Sequence, residues 1–205
     1  MIRIEKEHYN GIARLLVECF LEDKLVAKQV KGIEKPEIFL EKLFLMQIPV
    51  YSKTCEIYSL EDDLRSVIVG YEKLKYSSFR ALLLNIFFQF RLLHTISGSD
   101  LKMFSENGKE ALEHVDLKWY REFIQGNYYY IKIIAIAKDC RERGIFRQLI
   151  TPVINSCNQK SLPIILETNT PENVSIYQHF GFQLVKTVLE KETGFCQYCL
   201  VKQPD

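Results

Sequence analysis

Residues 128–182 read YYYIKIIAIAKDCRERGIFRQLITPVINSCNQKSLPIILETNTPENVSIYQHFGF, and the fold is decided there. The first ten residues, Tyr128 to Ala137, are almost continuously apolar, aromatic or β-branched, which predicts a central strand covered on both faces. After a short loop, Ile145, Phe146, Leu149, Ile150, Val153, Ile154 and Cys157 recur at helical spacing, with Pro152 expected to kink or loosen that helix. Pro163 to Glu167 reads as a second strand. Thr170 is expected to cap a short helix with Pro171 at its first position, and Gly181 ends it. Strand, helix, strand, helix, strand is an α/β pattern.

Two places in this stretch carry chemistry. In Arg141-Glu142-Arg143-Gly144-Ile145-Phe146, a strand-to-helix loop leaves the first N–H groups of the helix without partners, where the helix dipole also favours negative charge. Gly144 permits a tight turn or close approach, and Arg141 and Arg143 add charge-assisted contacts to phosphate oxygens. A solvated turn explains the same residues. No Walker-type GK[ST] occurs, and a dinucleotide fingerprint would need three glycines where this loop has one. Further on, Asn173 and Tyr177 lie four apart, on one helix face beyond the end of the second strand, where open α/β sheets bind ligands. A half-buried packing role for Tyr177 is the competing account.

Working outward, Met1 to Lys6 suits a first strand, and Ile12, Leu15, Leu16, Cys19 and Phe20 a helix. A second helix is expected from Pro36, with Pro49 ending it. Cys55 to Leu60 and Ser66 to Lys73 form a hairpin around EDDLR, and Phe182 to Leu189 and Phe195 to Val201 another around Lys191 to Gly194. Residues 77–127 read as a helical insertion. Its first helix, Phe79 to Leu93, is apolar on most sides, so it should be buried or meet a partner, including a second copy of the chain.

With 27 Lys+Arg and 26 Asp+Glu, the 205-residue chain carries 27 − 26 = +1, which argues against nucleic acid as a partner. The length suits one domain, 1–205. No apolar run reaches the roughly 20 residues of a membrane span, and the charged start offers no export signal, so a cytoplasmic protein without membrane attachment is expected. Six scattered cysteines fit a reducing compartment. The Cys196/Cys199 pair lies in a strand, with its thiols on opposite faces and no second pair to complete a metal site; His94, His114 and His179 also lack metal spacing. No metal is expected.

The loop Arg141–Phe146, together with Asn173, Tyr177, Gly181 and Phe182, resembles the GCN5-related N-acetyltransferase (GNAT) family, whose cofactor loop reads Q/R-x-x-G-x-G/A and whose later segment reads N-x-x-x-Y before Gly-Phe. The resemblance implies a mixed, mostly antiparallel α/β sheet of six to seven strands flanked by helices, with the helical insertion before the central cofactor-binding strand. It implies transfer of an acetyl group from acetyl-CoA to a primary amine of a small molecule or peptide by direct attack, with coenzyme A as product. Main-chain groups around Ile134, Ala135 and Ile136 would hold the pantetheine arm. The N–H groups of Arg141, Glu142, Arg143, Gly144, Ile145, Phe146 and Arg147 would hold the pyrophosphate. Asn173 would contact the cofactor, and Tyr177 would protonate the departing thiolate. Phe146 replaces the family's small residue, and the central strand offers Lys132 where many relatives carry Glu, leaving Glu72, Glu167 or a water chain as the base. These departures favour the alternative, an acyl-CoA sensor or interaction module without turnover.

Overall fold

The computed structural model describes residues 1–60, 63–189 and 195–205. Seven strands, β1 (Ile2–Arg3), β2 (Glu56–Ser59), β3 (Ser66–Glu72), β4 (Tyr129–Ile136), β5 (Ile164–Thr168), β6 (Gln183–Leu189) and β7 (Cys196–Lys202), form one sheet in the order β1-β2-β3-β4-β5-β7-β6. Neighbours are antiparallel except β4 and β5, which run parallel. The connection at 191–194 lies outside the described residues, as do Glu61 and Asp62 of the first hairpin turn.

Alternation along the strands builds two cores. Val67, Val69 and Ala135 face α1 (Tyr9–Phe20) and α3 (Pro36–Thr54), meeting Ile12, Leu16, Leu40 and Ile48. Ile68, Ile131, Ile164, Leu166 and Leu200 face the opposite way, onto α6 (Ile145–Gln159) and α7 (Pro171–His179), through Leu149, Ile150, Val153 and Tyr177. A 3-10 turn, Trp119–Glu122, covers the β5–β7 part of the first face. Its Trp119, 1% exposed, packs with Ile165, Cys199 and Val201.

Several expectations are corrected. Pro49 does not end the second helix, because α3 runs through it to Thr54. A proline removes one helical N–H, but Ile48 and Val50 on either side are buried, and that burial holds the turn together. The helix expected through Pro152 is α6, which runs on past it to Gln159. A short α2 (Lys24–Gln29) was not foreseen; Asp23 nucleates it, accepting the N–H groups of Leu25 (2.9 Å) and Val26 (3.0 Å). Thr170 is the N-cap residue of α7 but makes no side-chain cap, because its hydroxyl donates to Asn169 Oδ1 instead.

The insertion forms α4 (Ser78–Thr95) and α5 (Gly98–Leu112), each capped by a serine, Ser77 and Ser97. Ala81, Phe88 and Leu92 turn α4 toward the body, whereas Phe79, Leu83, Phe87 and Phe90 are exposed. The outward half of that helix is therefore uncovered within one chain. No helix among the described residues is long and apolar enough to cross a membrane.

The register of β4 matters most for the site. Gly70 opposes Ile131 while Val69 opposes Ile133, so Lys132 is an extra residue, a bulge that bends the strand. Gly70 is required beside it: an added Cβ would lie 2.6 Å from the Tyr129 ring and 2.8 Å from its hydroxyl, which donates to Glu56 (3.0 Å). Gly70→Ala is expected to destabilise by about 1–3 kcal/mol, read as a lower denaturant midpoint at unchanged slope.

Candidate active site

The loop after β4 passes through a 3-10 turn, Lys138–Cys140, and then two left-handed residues, Glu142 (φ 61°) and Gly144 (φ 74°). Gly144 is the N-cap of α6, and no side chain caps that helix. Among the described residues, no acceptor takes the main-chain N–H of any residue from 142 to 147; the first satisfied donor is Gln148, on Gly144 O at 3.2 Å. A Cβ at Gly144 would meet nothing within 4 Å, so the donors face open space. Such a run of amides at a helix start is an anion cradle. The loop is pinned from behind: Glu18 accepts the Lys138 N–H (2.9 Å), and Arg65 pairs with both Glu18 and Asp139.

The arginines divide. Arg141 turns back, its Nε donating to Ile136 O (3.3 Å). The Arg147 guanidinium meets His179 Nε2 (3.1 Å) and lies 5.1 Å from the Phe180 ring centre, leaving only its main-chain N–H for the loop. Arg143 makes no hydrogen bond or ion pair among the described residues, so its charge is free for an incoming anion.

Beside this loop the sheet opens. β4 and β5 pair only at Tyr129–Ile164 and Tyr130–Ile165, while β4 stays with β3 to Ile136 and β5 stays with β7 to Thr168. The β5-facing main-chain edge of β4 beyond Tyr130, which includes Ile134, Ala135 and Ile136, therefore lacks a strand partner. Two side-chain bridges frame the gap: the Tyr130 hydroxyl donates to Glu167 at its base, and Asn169 donates to Asp23 (3.1 Å) at its mouth.

Asn173 and Tyr177 come from α7. Asn173 Nδ2 donates to Thr168 Oγ1 (3.3 Å), which fixes it at the end of β5. Tyr177 is 9% exposed, its ring 5.6 Å from Phe146 and 5.8 Å from Phe182. Phe146 thus turns into the α6–α7 seam, where it also meets Phe180 at 5.2 Å, and it does not fill the loop. The Tyr177 hydroxyl has no hydrogen-bond partner among the described residues, yet it is not sealed from solvent. Burial pushes its pKa up to about 12.

The same burial raises the phenols of Tyr51, Tyr71, Tyr129 and Tyr130, with Glu56 adding to Tyr129 and Glu167 to Tyr130. A folded-state pKa above the unfolded value of about 10 stabilises below pH 10 and loses that contribution as pH rises toward the folded value. The melting temperature is expected to fall from about pH 10 toward 12, with phenolate absorbance appearing together with unfolding.

Residues 117–196 match the model of the acetyltransferase (GNAT) domain. Those residues, less than half of the chain, are similar to a GNAT acetyltransferase domain. An uncharacterized N-acetyltransferase of Schizosaccharomyces pombe is 32% identical over 92 residues, 45% of this chain, and the match spans 37% of that relative's length. Among solved structures, one described as histone acetyltransferase HPA2 and related acetyltransferase, from Corynebacterium glutamicum, superposes with a TM-score of 0.68 over 100% of this chain and 95% of its own, at 15% identity. An N-acetyltransferase from Staphylococcus aureus gives 0.60 at 14% identity, over 97% of each chain. Arylalkylamine N-acetyltransferase 2 from Aedes aegypti gives 0.59 at 14% identity, covering 100% and 98%. These likenesses are of fold.

Within this site the two carboxylates considered as bases part company. Glu72 opposes Tyr129, at the closed end of β4, about 20 Å of strand from the loop beside Ile136. Lys75 (3.0 Å) and Asn127 (2.9 Å) bind it and hold its pKa below the usual carboxylate range, so it is a structural ion-pair partner and not a base for this site. Glu167 does reach the gap, accepting from Trp119 Nε1 (3.0 Å) and from Tyr130. Sequence reasoning missed Trp119, Tyr130 and Asp23 as site residues, because their partners lie 48, 37 and 146 positions away. The Cys196/Cys199 pair joins no metal cluster among the described residues, and burial pushes the Cys199 thiol up to about 12.

Proposed function

We propose that this GNAT domain transfers the acetyl group of acetyl-CoA to a primary amine. The observation that carries the reading is the run of N–H donors at 142–147 with no acceptor among the described residues, beside a strand gap at whose β5 end α7 is held by Asn173 on Thr168. The site fits the donor: the amides and Arg143 suit pyrophosphate oxygens, and the open edge at Ile134–Ile136 and Asn173 suit the amides of a pantetheine arm. Bound acetyl-CoA supplies the thioester carbonyl.

The chain's residues do the rest. The amine, entering as a neutral nucleophile, forms the N–C bond as the C–S bond breaks. One proton leaves the nitrogen for water or Glu167, and the departing sulfur accepts a hydrogen bond from Tyr177 as it leaves and gains its proton there or from solvent. A main-chain N–H of β4 faces the carbonyl oxygen as its charge grows, and holding both reactants in one gap supplies much of the acceleration. Phe146 is seated in the α6–α7 seam, so of the two departures that favoured a sensor without turnover this one loses its force.

At 1 mM acetyl-CoA and a dissociation constant near 10 μM, binding adds about 2.7 kcal/mol, a rise of roughly 5–10 °C in melting temperature. No shift at that concentration removes the reading. Thiol release over an amine panel then tests turnover.

A further inference from the structure

On the α3 side of the strand gap lies an aromatic surface that the reading above does not use. Tyr71 stacks on Tyr76 at 4.2 Å and 28°, and meets the edge of Tyr130 at 5.5 Å and 88°. The Tyr130 hydroxyl donates to Glu167, which Trp119 grips from its other oxygen. Tyr51, on α3, completes the group and carries the Lys132 ammonium 5.1 Å from its ring centre. All four tyrosines are only partly buried. Among the described residues, no partner hydrogen-bonds the phenols of Tyr51, Tyr71 or Tyr76, and none of these phenols is sealed from solvent.

Packing alone does not account for this arrangement. Tyrosine rings that only fill a core usually place their hydroxyls on a protein acceptor. Here three hydroxyls have no acceptor among the described residues, in a group of rings whose member Tyr130, together with the Trp119 indole, fixes a carboxylate. Glu167 lies two residues beyond the last β4–β5 pair, at the base of the gap. Aromatic faces beside a held carboxylate attract an organic cation with a flat, apolar body.

We propose that the acceptor is a small primary monoamine on an aromatic body, its ring against Tyr71 and Tyr76 and its ammonium on Glu167 until it is deprotonated. The proposal rests on the acetyltransferase reading. Charge separates it from other amines: Glu167 accepts from Tyr130, the ring whose edge Tyr71 meets, and Lys132 stands over Tyr51 on the same side of the sheet. A linear polyamine would bring further ammonium groups toward Lys132, where Glu167 is the carboxylate held against the aromatic group among the described residues.

The test is thiol release from acetyl-CoA with 2-phenylethylamine, tyramine, propylamine, spermidine and a lysine-containing peptide, run beside the acetyl-CoA thermal shift. The expected result is a kcat/KM for the two aromatic amines at least tenfold above the other three. Tyr76→Leu should raise KM for 2-phenylethylamine about tenfold or more with a smaller change in kcat, and Glu167→Gln should raise that KM by at least as much whatever it does to kcat, both with the acetyl-CoA shift retained. Tyr76 lies at the outer end of the stack, so its variant keeps the test open if Glu167→Gln disturbs Trp119. Equal or better turnover of spermidine, propylamine or the peptide overturns the inference and leaves the acetyltransferase reading standing. So does an acetyl-CoA shift with no release from either aromatic amine. Absence of the shift overturns both.

Discussion

Gly144→Val is expected to abolish the acetyl-CoA thermal shift while the domain stays folded. Gly144 holds φ at 74°, and a β-branched residue there costs about 1–2 kcal/mol. For a chain of this size that lowers the melting temperature by roughly 2–8 °C. Steric conflict inside the protein adds nothing, since a Cβ at this position meets no atom within 4 Å. That open space is where phosphate oxygens would approach the amides of 142–147, and valine methyls would stand in it. The ligand-induced rise should therefore drop from 5–10 °C to under about 1 °C. Gly144→Asn separates the two effects, because asparagine tolerates a left-handed backbone but still projects a side chain. It should recover most of the ligand-free stability and little of the shift. An asparagine variant that binds acetyl-CoA as well as wild type would show that the open space is not the phosphate site.

The sequence made legible those features whose causes are local. The apolar run Tyr128–Ala137 and the helical period from Ile145 gave strand and helix within a residue or two, and one glycine between them marked the turn. The bulge at Lys132 and the separation of β4 from β5 are different in kind. They arise because β4 follows β3 while β5 follows β7, and the residues of β4 alone carry no trace of that choice. Glu72 and Glu167 looked equivalent as acids on strands. Register sends one to the closed end of the sheet and the other to the gap. The short α2 has too few residues to show a period, and Pro49 misleads because burial on both sides outweighs one missing hydrogen bond. Phe146 looked like an intrusion into the loop until α7 supplied Tyr177 and Phe180 for it to pack against.

Tyr177→Phe is expected to lower kcat about 10- to 100-fold with the acetyl-CoA shift intact. The hydroxyl has no partner to lose among the described residues, and the ring contacts with Phe146 and Phe182 survive, so the melting temperature should move little. The size of the rate effect follows from acidity. A phenol with pKa about 12 facing a thiol of about 8.5 would transfer its proton uphill by roughly 3.5 units, close to 5 kcal/mol. Full transfer is thus unfavourable before the ligand binds, whereas a hydrogen bond to the developing thiolate is worth about 1.5–3 kcal/mol. That range converts to the stated loss, below the 10²–10⁴-fold of a well-matched general acid. The same pKa sets the pH behaviour: Tyr177 stays protonated well above neutrality, so it should not produce a fall in wild-type activity below about pH 10. Wild-type and Phe variant profiles should therefore run parallel from pH 7 to 10, separated by a constant factor. Coincident profiles would mean that the sulfur leaves without help from this hydroxyl, and converging ones that Tyr177 ionises far below the value its burial dictates.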